Sequence, residues 1–310
     1  MVDHPSTPGP APQSIAWKNG RWLPFDQAGP SLADGGWVHG ATVVDLLRTV
    51  GGKPFLLDQH LDRFFRDSHR LGIEPRWDRG QTAAVVHELL QRNQVGDHPH
   101  RAWCVVLLAT PGPLAHYGSR EPAGSTLIIH GFPLPRMRYA GWFAEGARLV
   151  LSSIPSAYPG PVDCRIKQRS RLHWWLAEQQ SARESPGALP VLLTPGGEVT
   201  ETSIAHVACV TSRPRGDVLL IPPEDRVLQG VSLDLVLQLA SKIGLPVERA
   251  PFDWHALQGS REVFLTGTAF GLCAVSQVGH TQIPFPGPWT LLLQAAWAEF
   301  AGEPVDASFR

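Results

Sequence analysis

"DCRIKQRSRLHWWLAEQQ" fills residues 163–180, and its one lysine, Lys167, is the residue on which the reading of the chain turns. The 310 residues include only four lysines, Lys18, Lys53, Lys167 and Lys242; the remaining positive charge is carried by arginine. Lys167 stands just before a stretch with helical character, flanked by Arg165, Arg169 and Arg171. The choice of lysine has a chemical meaning. A primary amine can lose its proton and attack a carbonyl, and a guanidinium cannot. In the helix that follows, Trp174 and Trp175 are adjacent, so they point to different sides and at least one belongs in a core.

Working outward from Lys167, four more segments offer complementary chemistry. "GGEVTETS" (196–203) puts Glu201 on a strand after a tight turn, among small hydroxyl residues. "LQGVSLDLVL" (228–237) places Gly230, Val231 and Ser232 at a helix start, where free N–H groups and the helix dipole favour an anion. "LTGTAF" (265–270) sets Gly267 between the hydroxyls of Thr266 and Thr268. "HLDRF" (60–64) supplies Arg63, whose guanidinium can grip a phosphate with two parallel hydrogen bonds. A reactive amine, a carboxylate and a phosphate cradle are together what pyridoxal phosphate requires.

Composition bounds the alternatives. At 43% hydrophobic and 18% charged, the chain can bury a substantial core and is not a disordered polymer. A formal net charge of -1 gives no global field towards nucleic acid or membrane, so neither is expected as a partner. Cys104, Cys164, Cys209 and Cys273 are widely spaced and form no CxxC pair. The expectation is reduced structural thiols, no metal site and a cytoplasmic protein. Residues 1–14 lack the apolar core of a signal peptide and read as a flexible lead-in. No apolar run is long enough to span a bilayer.

The pattern predicts mixed α/β and α+β structure in two domains. "SIAWKNGRWLPF" is a hairpin turning at Asn19-Gly20, and "ATVVDLLRTVGGKPFLL" is two strands joined at Gly51-Gly52. "DQHLDRFFRDSHRLGI" is a helix with Asp58 as N-cap and Gly72 as its stop. "GQTAAVVHELLQRN" is a second helix, and "RAWCVVLLAT" and "STLIIHGF" are strands. These make a small domain over 15–131, and the two prolines of "GFPLPRMRYAGW" suggest a linker over 132–143. A larger, strand-dominated cofactor-binding domain then runs over 144–310. It contains the strands "ARLVLSS", "PVLLT", "VTETSIAHVACVT" and "DVLLIPP" and the strand–turn–strand "EVFLTGTAFGLCAV". Its helices are "SLDLVLQLASKIG", ending at Gly244, and the closing "TLLLQAAWAEFAG".

These motifs, with "NGRWLP", "DGGWVHG" and "GGKPFLLDQHLDRFFRDSHRLGI", resemble the fold-type IV pyridoxal-phosphate enzymes over about Ile15 to Gly279. That class includes branched-chain aminotransferase, D-amino-acid aminotransferase and aminodeoxychorismate lyase. The resemblance implies two domains with pyridoxal 5'-phosphate between them, and a homodimer. It implies that Lys167 forms the Schiff base and moves the substrate α-proton, and that Glu201 pairs with the pyridine nitrogen. It also implies a phosphate held by Arg63, Gly230, Val231, Ser232, Gly267 and Thr268. The substrate would be a small amino acid or 2-oxo acid.

The departures concern the substrate. His39 stands before Gly40 where the family has an aromatic residue, Asp45 where glutamate is usual, and His206 where asparagine is frequent. His39 and His206 could equally be core histidines. Arg171-Leu172 resembles the lyase, and Arg171 reads more readily as helix surface than as pocket. The loop "TPGPLAHYG" has His116 but no Arg-x-His pair of the kind that traps a D-amino acid carboxylate. Arg101 and Arg171 are the candidate clamps for a second carboxylate, and His39, Asp45 and His206 complete the candidate pocket. The favoured expectation is transamination of an L-amino acid, branched-chain or similar. The alternative is an aminodeoxychorismate lyase-type reaction releasing pyruvate, and after it a non-catalytic cofactor-binding homologue.

Overall fold

The computed structural model describes residues 14–97, 102–119, 123–157 and 163–309. Arg101 and most of the lead-in lie outside the described residues. The chain forms two compact units. Unit 1 runs to Pro135 and also takes in Ile166–Ser170, while unit 2 comprises Arg136–Arg165 and the chain from Arg171.

Unit 1 is built on β1 (Ile15–Lys18), β2 (Arg21–Pro24), β3 (Val43–Val50), β4 (Lys53–Pro54), β5 (Trp103–Thr110) and β6 (Thr126–Pro133). The sheet order is β2-β1-β6-β5-β3-β4. The hairpin turns form as the sequence predicts. Asn19 and Gly20 have φ of 49° and 87°, and Gly51 and Gly52 have 57° and 80°, the left-handed pairs that match the twist of the joined strands. Helices α1 (Gly35–Val38), α2 (Leu57–Arg70) and α3 (Arg79–Arg92) complete the unit.

Helix α2 buries Leu61 and Phe64 completely in one core with Leu47, Val105, Leu107 and Ile129. Each such side chain contributes about 2 kcal/mol by leaving water. Asp58 is not the N-cap of α2. The cap is Leu56 in a left-handed conformation, and Asp58 sits in the first turn, where its charge still complements the dipole. Helix α3 starts with a capping box: the Asp78 carboxylate accepts from the Gln81 N–H, and Gln81 accepts from the Asp78 N–H.

Unit 2 opens with α4 (Arg136–Glu145), so part of the predicted linker is helical. It continues with β7 (Ala147–Leu151), α5 (Leu172–Glu184), β8 (Leu189–Leu193), β9 (Val199–Thr202), β10 (His206–Arg213) and β11 (Gly216–Ile221). Then come α6 (Val231–Lys242), β12 (Val247–Arg249), α7 (Trp254–Gln258), β13 (Glu262–Gly267), β14 (Gly271–Val278), β15 (Thr281–Gln282) and α8 (Pro288–Ala301). The sheet order is β12-β11-β10-β13-β14-β7-β8-β9, and β9 also pairs with β10. Six strands therefore close on themselves as a barrel. "VTETSIAHVACVT", expected as one strand, is two: β9 and β10 fold back around Ser203–Ala205, and Glu201 becomes the cross-strand partner of His206. The turn is held by Thr202, whose N–H and hydroxyl both donate to the Ala205 carbonyl.

On α5, Trp174 is packed with Ala177 and Leu192 while Trp175 is exposed, as adjacency on a helix requires. Among the described residues no helix is long and apolar enough to cross a membrane. No cluster of three or more His, Cys, Asp or Glu there could hold a metal.

Candidate active site

The candidate residues fall into two sets, one in each unit. In unit 1, the segment bearing Lys167 is pinned along its backbone. The Lys167 N–H donates to Asp67 Oδ2 at 3.0 Å, and its carbonyl accepts from the Val44 N–H at 2.9 Å. The Arg169 N–H donates to Thr42 Oγ1 at 2.8 Å, and the Ser170 hydroxyl donates to the Gly40 carbonyl at 2.8 Å. Gly40 has φ +66°, and a Cβ there would lie 2.6 Å from Ser170 Oγ, which explains the glycine after His39. His39 itself is the exposed C-cap of α1, so within this chain it is not a core histidine.

Behind Lys167 lies a buried charge cluster. Asp45 on β3 is fully buried. Its Oδ1 meets His60 Nδ1 at 2.7 Å and Arg63 Nη2 at 2.8 Å, and its Oδ2 meets Arg63 Nε at 2.8 Å. Burial alone would raise the Asp45 pKa, but the charges and hydrogen bonds of Arg63 and His60 outweigh it and hold the carboxyl well below the usual range. His60 is pushed the other way. Burial lowers its pKa, Asp45 opposes that, and the charges of Arg63 and Lys167 lower it further. His60 Nδ1 and the Asp45 carboxylate share a short buried hydrogen bond. Asp45 thus serves to orient Arg63, with both carboxylate oxygens engaged inside the core. Burial also raises the Asp67 pKa, against the hydrogen bond from the Lys167 N–H and the charge of Arg66. His60 and Asp67 were missed in the sequence. His60 was detectable, since at three residues before Arg63 it shares that residue's helix face.

In unit 2, Glu201 and His206 face each other, with Nδ1 of His206 3.3 Å from Glu201 Oε2. Arg171, expected on the surface, is half-buried as the N-cap residue of α5, and its Nη2 donates to the Ser203 carbonyl. Burial lowers its pKa, opposed by the charges of Glu201 and Glu178. Arg171 thereby sets a fixed cation near Glu201.

The α6 N-terminus carries the phosphate-cradle candidates. Gly230 is the N-cap and has no side chain to satisfy the first N–H groups of a 12-residue helix. Ser232 Oγ on the first turn lies 3.5 Å from Thr268 Oγ1, at the turn after β13. Gly267 is required beside it, since a Cβ there would come within 2.8 Å of the Ile204 carbonyl oxygen. Paired hydroxyls at an uncapped helix N-terminus fit a phosphate. Val231 is buried and contributes its backbone. A cavity of about 520 Å³ elsewhere in unit 2, lined by Arg148, Gln180, Trp254 and Gln277 among others, includes none of the candidate residues. Arg148 there donates to the Pro186 carbonyl and Gln277 to the Gly279 carbonyl.

Residues 42–278 match the family described as amino-transferase class IV, and the chain belongs to it. It is an enzyme of that family. D-alanine aminotransferase from Listeria innocua is 23% identical over 266 residues, covering 86% of this chain and 88% of its own. A putative branched-chain-amino-acid aminotransferase from Methanocaldococcus jannaschii is 26% identical, covering 84% of this chain and 86% of its own. Among solved structures, the branched-chain amino acid aminotransferase from Thermobaculum terrenum, in its PLP-bound holo-form, aligns with a TM-score of 0.76 at 19% identity. It covers 96% of this chain and 96% of the other, and at that identity it establishes the fold.

Proposed function

We propose that this aminotransferase uses pyridoxal 5'-phosphate to transfer an amino group between an L-amino acid and a 2-oxo acid. The observation that carries the reading is the Lys167 segment. Its one amine is delivered on a segment anchored by three backbone hydrogen bonds and the Ser170 hydroxyl, in a chain where lysine is rare. The bound cofactor supplies an electron sink for charge developing at the substrate α-carbon.

The chain's own residues supply the rest. Lys167 Nζ is the attachment point and the base that takes the α-proton. Its amine must be neutral to do so. Glu201 holds a proton at the pyridine nitrogen. Ser232, Thr268 and the first N–H groups of α6 bind the phosphate, and in unit 1 Asp45 sets the orientation of Arg63, the phosphate-binding arginine of the same reading. The exposed Leu172, Trp175 and Leu176 on one side of α5 support a homodimer as part of the same reading.

The test combines mapping with half-reactions. Borohydride reduction of the holoenzyme should fix the cofactor on the peptide containing Lys167, and an adduct on Lys18, Lys53 or Lys242 instead would refute the assignment. Mixing with L-amino acids should convert the cofactor absorbance to that of its amino form, and 2-oxoglutarate or pyruvate should restore it. Conversion only by D-amino acids would reverse the stereochemical reading. Pyruvate release from aminodeoxychorismate without any acceptor would make the enzyme a lyase.

A further inference from the structure

His206 touches two parts of the candidate site at once. It opens β10, is 6% exposed, and its Nδ1 lies 3.3 Å from Glu201 Oε2 across the β9–β10 pair. The opposite edge of the ring meets α6: a Cβ on Gly230 would fall 2.1 Å from Nε2 and 2.6 Å from Cδ2. The imidazole is therefore wedged between the carboxylate and the helix N-cap, and only a glycine at 230 admits it.

We propose that His206 is a positioning residue that aims and ionises the Glu201 carboxylate through Nδ1 and sets its spacing from the α6 N-terminus through Nε2. Assigning those two ends to the pyridine nitrogen and the phosphate rests on the function proposed above; the wedge itself does not. A carboxylate that is largely desolvated drifts towards its neutral form unless a donor or cation faces it. Two do so here. Arg171 brings a fixed charge from the start of α5, held by Ser203, and His206 brings a buried ring nitrogen to within 3.3 Å of the carboxylate. The neighbour of His206 on β13 is Thr266, whose hydroxyl is committed to the Gly271 carbonyl, and α6 presents Gly230. The Cys164 thiol also feels Glu201, which helps burial push it up to about 12, so it is neutral.

The two nitrogens can be tested separately. Asparagine reproduces the reach of Nδ1 but not of Nε2, and glutamine reproduces Nε2 but not Nδ1. The first measurement is an NMR pH titration of the His206 imidazole in the wild type and in Glu201→Gln. The facing carboxylate should hold the wild-type His206 pKa about 1 unit above that in the variant. Equal values in both proteins overturn the pairing.

The second measurement is on the holoenzyme. His206→Asn should keep the wild-type pH dependence of the cofactor absorbance but weaken pyridoxal phosphate binding about tenfold. His206→Gln should keep the affinity within about threefold but move the pH at which the absorbance changes. If neither variant changes either readout while both retain the wild-type circular dichroism, His206 positions nothing. If the wild type itself binds no pyridoxal phosphate, the proposed function fails, while the titration still decides the His206–Glu201 contact.

Discussion

Asp45→Asn removes one negative charge from the centre of the unit 1 core and nothing else of comparable size. In the native chain that charge faces two Arg63 nitrogens at 2.8 Å and His60 Nδ1 at 2.7 Å, with no exposure to water. An asparagine retains a single acceptor oxygen and turns an NH₂ group towards a guanidinium or an imidazole N–H. The buried Arg63 cation then loses the carboxylate charge that both its Nε and Nη2 face. Breaking a buried pair from one side costs about 3–5 kcal/mol. The cluster lies within unit 1, so a local measurement isolates its cost.

Hydrogen exchange on peptides covering Val43–Val50 and Leu57–Arg70 reads the cost directly. A loss of about 4 kcal/mol corresponds to roughly a thousandfold faster exchange there. The pH dependence gives a second signature. The depressed Asp45 pKa contributes stability that is present above the ordinary carboxylate pKa and is lost as pH falls through that range, so the variant should lack this acid-sensitive component. Exchange within about fivefold of wild type, with the acid sensitivity unchanged, would refute the view that this cluster orders unit 1.

The His130 pKa is lowered to about 4, first by burial and then by the charge of Arg169. The unfolded chain binds a proton near pH 6.5 and the folded one does not, so stability should fall as pH drops from about 6.5 to 4, by about 2 kcal/mol after allowing for partial exposure. His130→Gln should flatten that limb in a pH series of thermal melts. Trp174→Ala should cost about 3–4 kcal/mol in denaturant unfolding because Trp174 packs on Ala177 and Leu192, whereas Trp175→Ala should cost under about 1 kcal/mol. Gly112→Ala places a Cβ 1.9 Å from the Gly124 carbonyl oxygen at φ +87°, and should lower stability by more than about 2 kcal/mol. Gly51→Ala, left-handed but with open space, should cost only about 1 kcal/mol by the same melts.

Local chemistry was readable from the sequence wherever neighbours along the chain decide it. Asn19-Gly20 and Gly51-Gly52 make their hairpins because two left-handed residues are the least strained way to reverse a twisted strand. Helices α2, α6 and α8 follow from apolar spacing and glycine stops, and the Lys167, Glu201 and Gly230–Ser232 segments stood out by residue type. The tertiary structure alone decided which side chains meet. The break in "VTETSIAHVACVT" depends on Thr202 capturing the Ala205 carbonyl, and without it Glu201 and His206 would lie along one strand instead of facing across two. Asp45 looked like a pocket residue until β3 and α2 packed and gave both its oxygens to Arg63 and His60. Arg171 looked solvated until the β9–β10 turn offered it the Ser203 carbonyl. Lys167 is the second residue of the short segment Ile166–Ser170, which clusters with unit 1 although the chain on either side of it belongs to unit 2. Periodicity records which face of an element is apolar; a charged side chain's partner is set by contacts a hundred residues away in sequence, as Lys167 and Asp67 are, and burial then makes that pairing obligatory.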